Sequence, residues 1–228
     1  MKTKQLNFNK TKFSLRSLLL ASVGCVVFSG LTGTASAATV LTFLNDTGSP
    51  IPDGLIPQDY GDNVAAAVQA PYSYGLVGSG FTPNVSVSYT QPGDLSNFGT
   101  GYGDLPAAIY SSDPFTITFT AQAGFTVSLE GFDSAAFGAD RTFDFTLSNG
   151  TQTFSQTGVS SPTNGRNSVS FIGQLAATGA EVTLTIAPQD FDAGFSNFQF
   201  SQVPEPSSVI LIGLASIGML GLLRLRKS

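Results

Sequence analysis

Carboxylates and tyrosines are the side chains of this sequence best placed to do chemistry, and both are clustered. Asp46, Asp53, Asp59 and Asp62 fall within 17 residues of a stretch rich in proline and glycine, with Asn45 and Asn63 adding neutral oxygens. Calcium takes about six to eight oxygen ligands and tolerates irregular geometry, so such a stretch could be ordered around a structural ion. Loop aspartates also make turns through their own side chains, and both readings stand. All six tyrosines lie between positions 60 and 110. Tyr60, Tyr72, Tyr74 and Tyr102 sit in expected loops, where binding residues concentrate. A sugar ring could stack on them while nearby Asp and Asn accept its hydroxyl hydrogens. The alternative is that these rings cover a sheet edge, each with its hydroxyl toward water. The absence of Trp argues against a strong sugar-stacking platform.

The missing residue types exclude more than the present ones suggest. The 228 residues contain no His and a single Cys, Cys25. Histidine-based triads, His-ligated zinc and an intrachain disulfide are therefore excluded. The stretch from 46 to 205 carries all fifteen acidic residues but only Arg141 and Arg166, which leaves it at −13. Such a body repels phosphates, so nucleic-acid binding is excluded. Arg141 and Arg166 are expected to pair with nearby acids. A carboxylate pair could still hydrolyse glycosides, and Glu130 and Asp133 stand close in sequence, but they read as a strand end. No catalytic residue is assigned.

The remaining basic residues lie at the two ends. Lys2, Lys4, Lys10, Lys12 and Arg16 precede a short apolar run over 18–31, and Ala35, Ala37 and Ala38 supply a small-residue cleavage site. This is the pattern of a signal helix cut by signal peptidase after Ala37. Without residues 1–37 the chain contains no cysteine. At the other end, Pro204-Glu205-Pro206 precedes an apolar run over 209–223 and the basic cluster Arg224, Arg226 and Lys227. Fifteen helical residues reach about 22 Å, short of the roughly 30 Å hydrocarbon core. Flanking serines and snorkelling arginines bring the segment close to spanning. The two prolines keep the helix from extending upstream, and the basic end is expected to stay in the cytoplasm.

The order of Pro204-Glu205-Pro206, a short apolar helix and a terminal Arg/Lys cluster resembles the PEP-CTERM sorting signal. The resemblance covers about the last 26 residues. It implies export in an exopolysaccharide-producing Gram-negative bacterium, a group that includes many cyanobacteria. It also implies membrane anchoring followed by processing near the motif by an exosortase. The chain would then be an enzyme's substrate, delivered to the cell surface or extracellular matrix.

The elements that must position the body's residues read as strands. Apolar residues alternate with Ser, Thr or Asp in Val85-Val87-Tyr89, Phe115-Ile117-Phe119, Phe125-Val127-Leu129, Phe143-Phe145-Leu147 and Val182-Leu184-Ile186, and again around Val169-Phe171 and Phe198-Phe200. Alternation of this kind buries one face of an antiparallel sheet. Phe115, Phe119, Phe143, Phe145 and Phe198 are expected in the core. Asn149-Gly150 marks a hairpin turn. Residues 62–69 could form a short helix. Residues 45–83 form a long irregular stretch, unusual for a compact domain unless it is functional or held by an ion. The fold class is all-β: a single antiparallel sandwich of jelly-roll type with about eight to ten short strands. The expected organisation is a signal peptide over 1–37, the body over 38–202 and the sorting signal over 203–228.

The body also resembles the jelly-roll domains of PEP-CTERM proteins, which are similar in shape to galactose-binding-like modules. The features that carry this are the NDTGSPIPDG opening and the GFSNFQFSQV segment joined directly to the motif. The resemblance implies a structural calcium near the first and last strands, where Asp46 and Asp53 would meet Asp190 or Asp192. Three functions are thus open: a non-catalytic surface protein associating with exopolysaccharide, a structural sheath or biofilm protein without a specific ligand, and a glycan hydrolase. Saturable glycan binding separates the first two.

Overall fold

The structure, a computed structural model, describes residues 38–45, 47–65, 68–69, 72–74, 80–90 and 95–205. The chain divides into two units, Met1–Thr34 and Ala35–Ser228, and every described residue belongs to the second. Its strands are β1 Thr39–Asn45, β2 Gly54–Leu55, β3 Val68–Gln69, β4 Tyr72–Tyr74, β5 Val85–Thr90, β6 Ser96–Phe98, β7 Ala108–Tyr110 and β8 Phe115–Ala121. They continue with β9 Phe125–Ala136, β10 Arg141–Ser148, β11 Thr153–Ser161, β12 Asn167–Ser170, β13 Thr178–Gly179, β14 Glu181–Pro188 and β15 Ala193–Pro204.

These strands build a two-sheet antiparallel sandwich. One sheet has the order β11-β10-β14-β8-β5. The other is centred on β15, which pairs with β1, β7 and β9. From there β7 leads to β6 and β2, β1 leads to β4 and β3, and β9 carries β12 and β13. The alternating sequences place Phe115, Ile117 and Phe119 of β8 and Val182, Leu184 and Ile186 of β14 in the core. Their threonines face outward, where Thr116 and Thr185 share a hydroxyl hydrogen bond of 2.9 Å across the ladder. Phe143, Phe145 and Phe198 are buried as expected. Asn149 and Gly150 turn β10 into β11. Gly150 takes φ +80°, and the Asn149 side-chain oxygen accepts from the Thr151 and Gln152 amides at 3.0 and 2.8 Å.

The additional strands come from the proline- and glycine-rich stretches. The described residues of the expected helix over 62–69 are not helical: 62–63 lie in a turn, Val64 forms a bridge and 68–69 belong to β3. Apolar burial holds the described part of the long stretch: Ile51, Ile56, Tyr60, Val64 and Tyr74 are all core residues. Phe43 shows how. It sits at φ +54° in an irregular register of β1, its ring stacks on Tyr60 at 4.8 Å, and its amide donates to the Tyr60 hydroxyl at 2.6 Å. Tyr60→Phe keeps the ring but leaves that buried amide without its acceptor. A loss of about 1–3 kcal/mol is expected in denaturant unfolding, and an unchanged midpoint would show that the bond contributes nothing.

The body does not stop at Gln202. β15 continues through Val203 and Pro204, opposite Thr126 and Phe125 of β9. The last strand of the sandwich and the first residues of the expected sorting signal are one continuous element.

Candidate functional site

The two ends of β15 define the two ends of the sandwich. Pro204 stands opposite Phe125 at one end, and Ala193 opposite Ala136 at the other. Twelve extended residues separate them by about 35–40 Å. Among the described residues, the end away from the motif gathers most of the exposed large aromatics. Phe98 at the end of β6 is 37% exposed, Phe137 after β9 is 49% exposed and Phe191 before β15 is 58% exposed.

Tyr102 organises this cluster. Its ring lies 6.2 Å from Phe98, 6.0 Å from Tyr110 and 6.1 Å from Phe137. Its hydroxyl donates to the Phe191 carbonyl at 2.7 Å. The ring lies flat against β15, where a Cβ on residue 194 would stand 2.6 Å from it, so only glycine fits there. Burial pushes the Tyr102 hydroxyl pKa up, and the charges of Tyr110, Asp192 and Asp190 add to the shift. The hydroxyl therefore stays a proton donor.

Ion pairs flank the rings. Arg141 donates to Asp190 at 2.9 Å and to Asp192, and hydrogen bonding from Asp192 raises its pKa. The Asp192 carbonyl accepts the Phe137 amide at 2.8 Å, which ties the pair to the cluster. Arg166 bridges Asp104 and Asp133, each at 3.2 Å. Asp133 also accepts from Ser168 and Asn197. Both arginines thus pair with acids, as the charge pattern suggested.

The expected glycan contacts are corrected in part. Tyr60 and Tyr74 are buried, with their rings 5.2 Å apart, and the Tyr74 hydroxyl accepts the Gly61 amide at 3.2 Å. A ring enclosed on both faces offers nothing to a sugar. Tyr102 lies in the aromatic cluster but is only 5% exposed, so it supports the exposed rings more than it presents its own face. The backbone of Tyr72 lies in β4. Phe98, Phe137 and Phe191 were missed by the sequence reading. The signal was there: each is flanked by turn-forming or acidic neighbours, in Asn97-Phe98-Gly99, Phe137-Gly138 and Asp190-Phe191-Asp192, instead of alternating with Ser and Thr.

The expected calcium ligands have other partners. Asp190 and Asp192 close on Arg141. Asp53 accepts the Gly99 amide at 3.2 Å, and Asp62 accepts the Val87 amide. Burial, opposed by that hydrogen bond, raises the Asp62 pKa. The Asp59 carbonyl accepts the Asp62 amide in a turn. Among the described residues no three or more His, Cys, Asp or Glu side chains come together as a metal site. Asp46 lies outside the described residues, as do Ala35, Ala37, Pro206, Arg224, Arg226 and Lys227, whereas Ala38 precedes β1.

A groove of about 560 Å³ runs beside β9 and is lined by Leu129, Glu130, Phe171, Ile172 and Leu175 among others. Glu130 is its only ionisable group, so it holds no second acid for paired-carboxylate chemistry. No helix of the described residues is long and apolar enough to cross a membrane.

Comparison with known proteins gives two findings and one absence. No curated protein matches the chain. A solved structure, TmCBM61 in complex with beta-1,4-galactotriose, is similar over 54% of this chain and 83% of its own length, at 14% identity and a TM-score of 0.24. Residues 202–227 match the PEP-CTERM protein-sorting motif, so the motif begins within β15, the last strand of the sandwich.

Proposed function

We propose that this chain is an exported, exosortase-processed surface or matrix protein whose sandwich associates with exopolysaccharide through its distal aromatic cluster and catalyses nothing. The sorting motif implies export, membrane anchoring before cleavage and processing by an exosortase. The proposed route adds removal of residues 1–37 by signal peptidase and membrane attachment through 209–223. The sandwich then stands with the motif end toward the membrane and the aromatic end outward.

The observation that carries the glycan reading is the set of exposed rings at the end opposite the motif. Phe98, Phe137 and Phe191 present apolar faces to the C–H face of a sugar, and Asp104 offers carboxylate oxygens to its hydroxyls. With two ion-paired arginines and no lysine in the body, the site suits neutral sugar units rather than sulfated or phosphorylated ones.

The test is a calorimetric titration of the body with exopolysaccharide from the source organism. The fragment should end at Glu205, since truncation at Gln202 would remove the last rungs of β15. Saturable binding is expected, weakened about five- to 150-fold in the Phe98→Ala, Phe137→Ala double variant, because each lost stacking ring is worth about 0.5–1.5 kcal/mol. A parallel run with calcium or chelator shows whether an ion takes part. No binding in either buffer would sink the glycan reading and leave a structural surface protein.

A further inference from the structure

The first residues of the sorting motif, Gln202 to Glu205, are not a free tail. Gln202, Val203 and Pro204 stand opposite Val127, Thr126 and Phe125 in the β9–β15 ladder. Glu205 extends the pairing, with its amide donating to the Gly124 carbonyl at 2.8 Å. The Thr126 hydroxyl reaches the Val203 carbonyl at 3.4 Å. The Gln202 side chain is buried, and its oxygen accepts the Asn84 amide at 2.9 Å, which pins the strand end to the loop before β5. Immediately before β9 the chain turns tightly: the Phe125 amide donates to the Gln122 carbonyl, and Gly124 takes φ +88°. The first two residues of Pro204-Glu205-Pro206 are therefore held by the folded body.

An enzyme that processes a peptide takes it in extended form and engages its backbone donors and acceptors. Here one edge of that backbone is already paired within the domain. The apolar run at 209 begins three residues beyond Pro206, so a folded body stands within about 10–15 Å of it. The motif cannot be drawn away from the body on slack chain.

Taking the sorting reading as given, we infer that the folded sandwich masks its own processing site, and that exosortase acts on chains whose last β9–β15 rungs, Gln202 to Glu205, have opened. The turn at 121–125 and the Gln202–Asn84 bond then set the rate of processing, and ladder strength becomes a timing device for release from the membrane.

The test follows processing of the full-length chain in membranes that contain the exosortase, read as a mobility shift against time. Thr126→Cys with Val203→Cys places thiols at directly opposed positions, within disulfide reach. The pair is oxidised and the oxidant removed before the enzyme is added. Processing is expected to slow at least tenfold, to recover on reduction, and to run at the wild-type rate in the single variant Thr126→Cys. A second variant inserts six Gly/Ser residues between Gln202 and Val203, which lifts the motif off the ladder with the sandwich intact, and it should be processed several times faster than wild type. Equal rates for the oxidised and reduced pair, or no acceleration by the insertion, would overturn the masking. A wild-type chain that the enzyme leaves uncut would overturn the sorting reading itself, and the masking with it.

Discussion

Phe132→Ala is expected to lower the stability of the body by about 3–5 kcal/mol. Phe132 lies in β9, but it joins the two sheets and the loop between them. Its ring stacks on Phe198 at 5.4 Å and meets Phe195 at 6.1 Å in its own sheet. It meets Phe143 at 5.9 Å and Phe145 at 6.0 Å in the facing sheet, and Phe171 at 5.8 Å beyond the end of β12. Removing it opens a ring-sized cavity with five aromatic walls. All five are strand or turn residues whose backbones are fixed by ladders, so collapse into the space is limited. For a domain of this size the melting temperature should fall by roughly 6–20 °C. A fall in the denaturant midpoint with an unchanged slope would place the effect in the native core. A loss below about 1 kcal/mol would mean that the two sheets do not meet at this ring.

The second large effect is expected at Gly103→Ala, at the foot of the aromatic cluster. Gly103 takes φ +48°, and a Cβ there would lie 2.1 Å from the Gly165 carbonyl oxygen and 2.8 Å from the Ala135 methyl. Its amide is bonded to the Ala136 carbonyl at 3.2 Å, so the residue cannot simply withdraw. The left-handed backbone costs alanine about 1–2 kcal/mol, and forced separation of the two loops about 1–3 more. The expected loss is therefore about 2–5 kcal/mol. The displacement should also lift Tyr102 from the glycine-lined floor of β15, so tyrosine near-ultraviolet dichroism should change and exopolysaccharide affinity should fall. A variant with wild-type stability would show that the loops at 103 and 165 separate freely.

The parts of the fold that were legible in the sequence are those with one wet face. β8, β10 and β14 alternate because their outer threonines and serines meet water, and β10 turns into β11 where Asn-Gly said it would. The second half of β9 was not legible. Ser134, Ala135 and Ala136 are buried consecutively, because both faces there are covered, and alternation disappears when neither side is wet. The same applies to the start of β15, buried from Ala193 to Ser196. Tyr60 and Tyr74 were misplaced for a related reason. Their neighbours are turn formers, and local composition records the turn but not the sheet that the turn lies against. The distal cluster draws Phe98 from the end of β6 and Tyr102, Phe137 and Phe191 from separate loops, so no window of sequence contains it. Only the motif at the carboxyl end was readable as a unit, since an address is recognised as linear text.

The position of β15 has a mechanical consequence. The chain leaves the sandwich from its central strand, and the opposite end of that strand lies beneath the exposed rings. A pull between a membrane-held tail and a distally held polymer runs along the strand axis. Ladder hydrogen bonds lie across that axis, so β9 and β1 resist the pull in shear, with many bonds sharing the load at once. An edge strand pulled sideways would open bond by bond. A tension applied between the two ends of β15 would thus run lengthwise, along the direction in which its sheet is hardest to break.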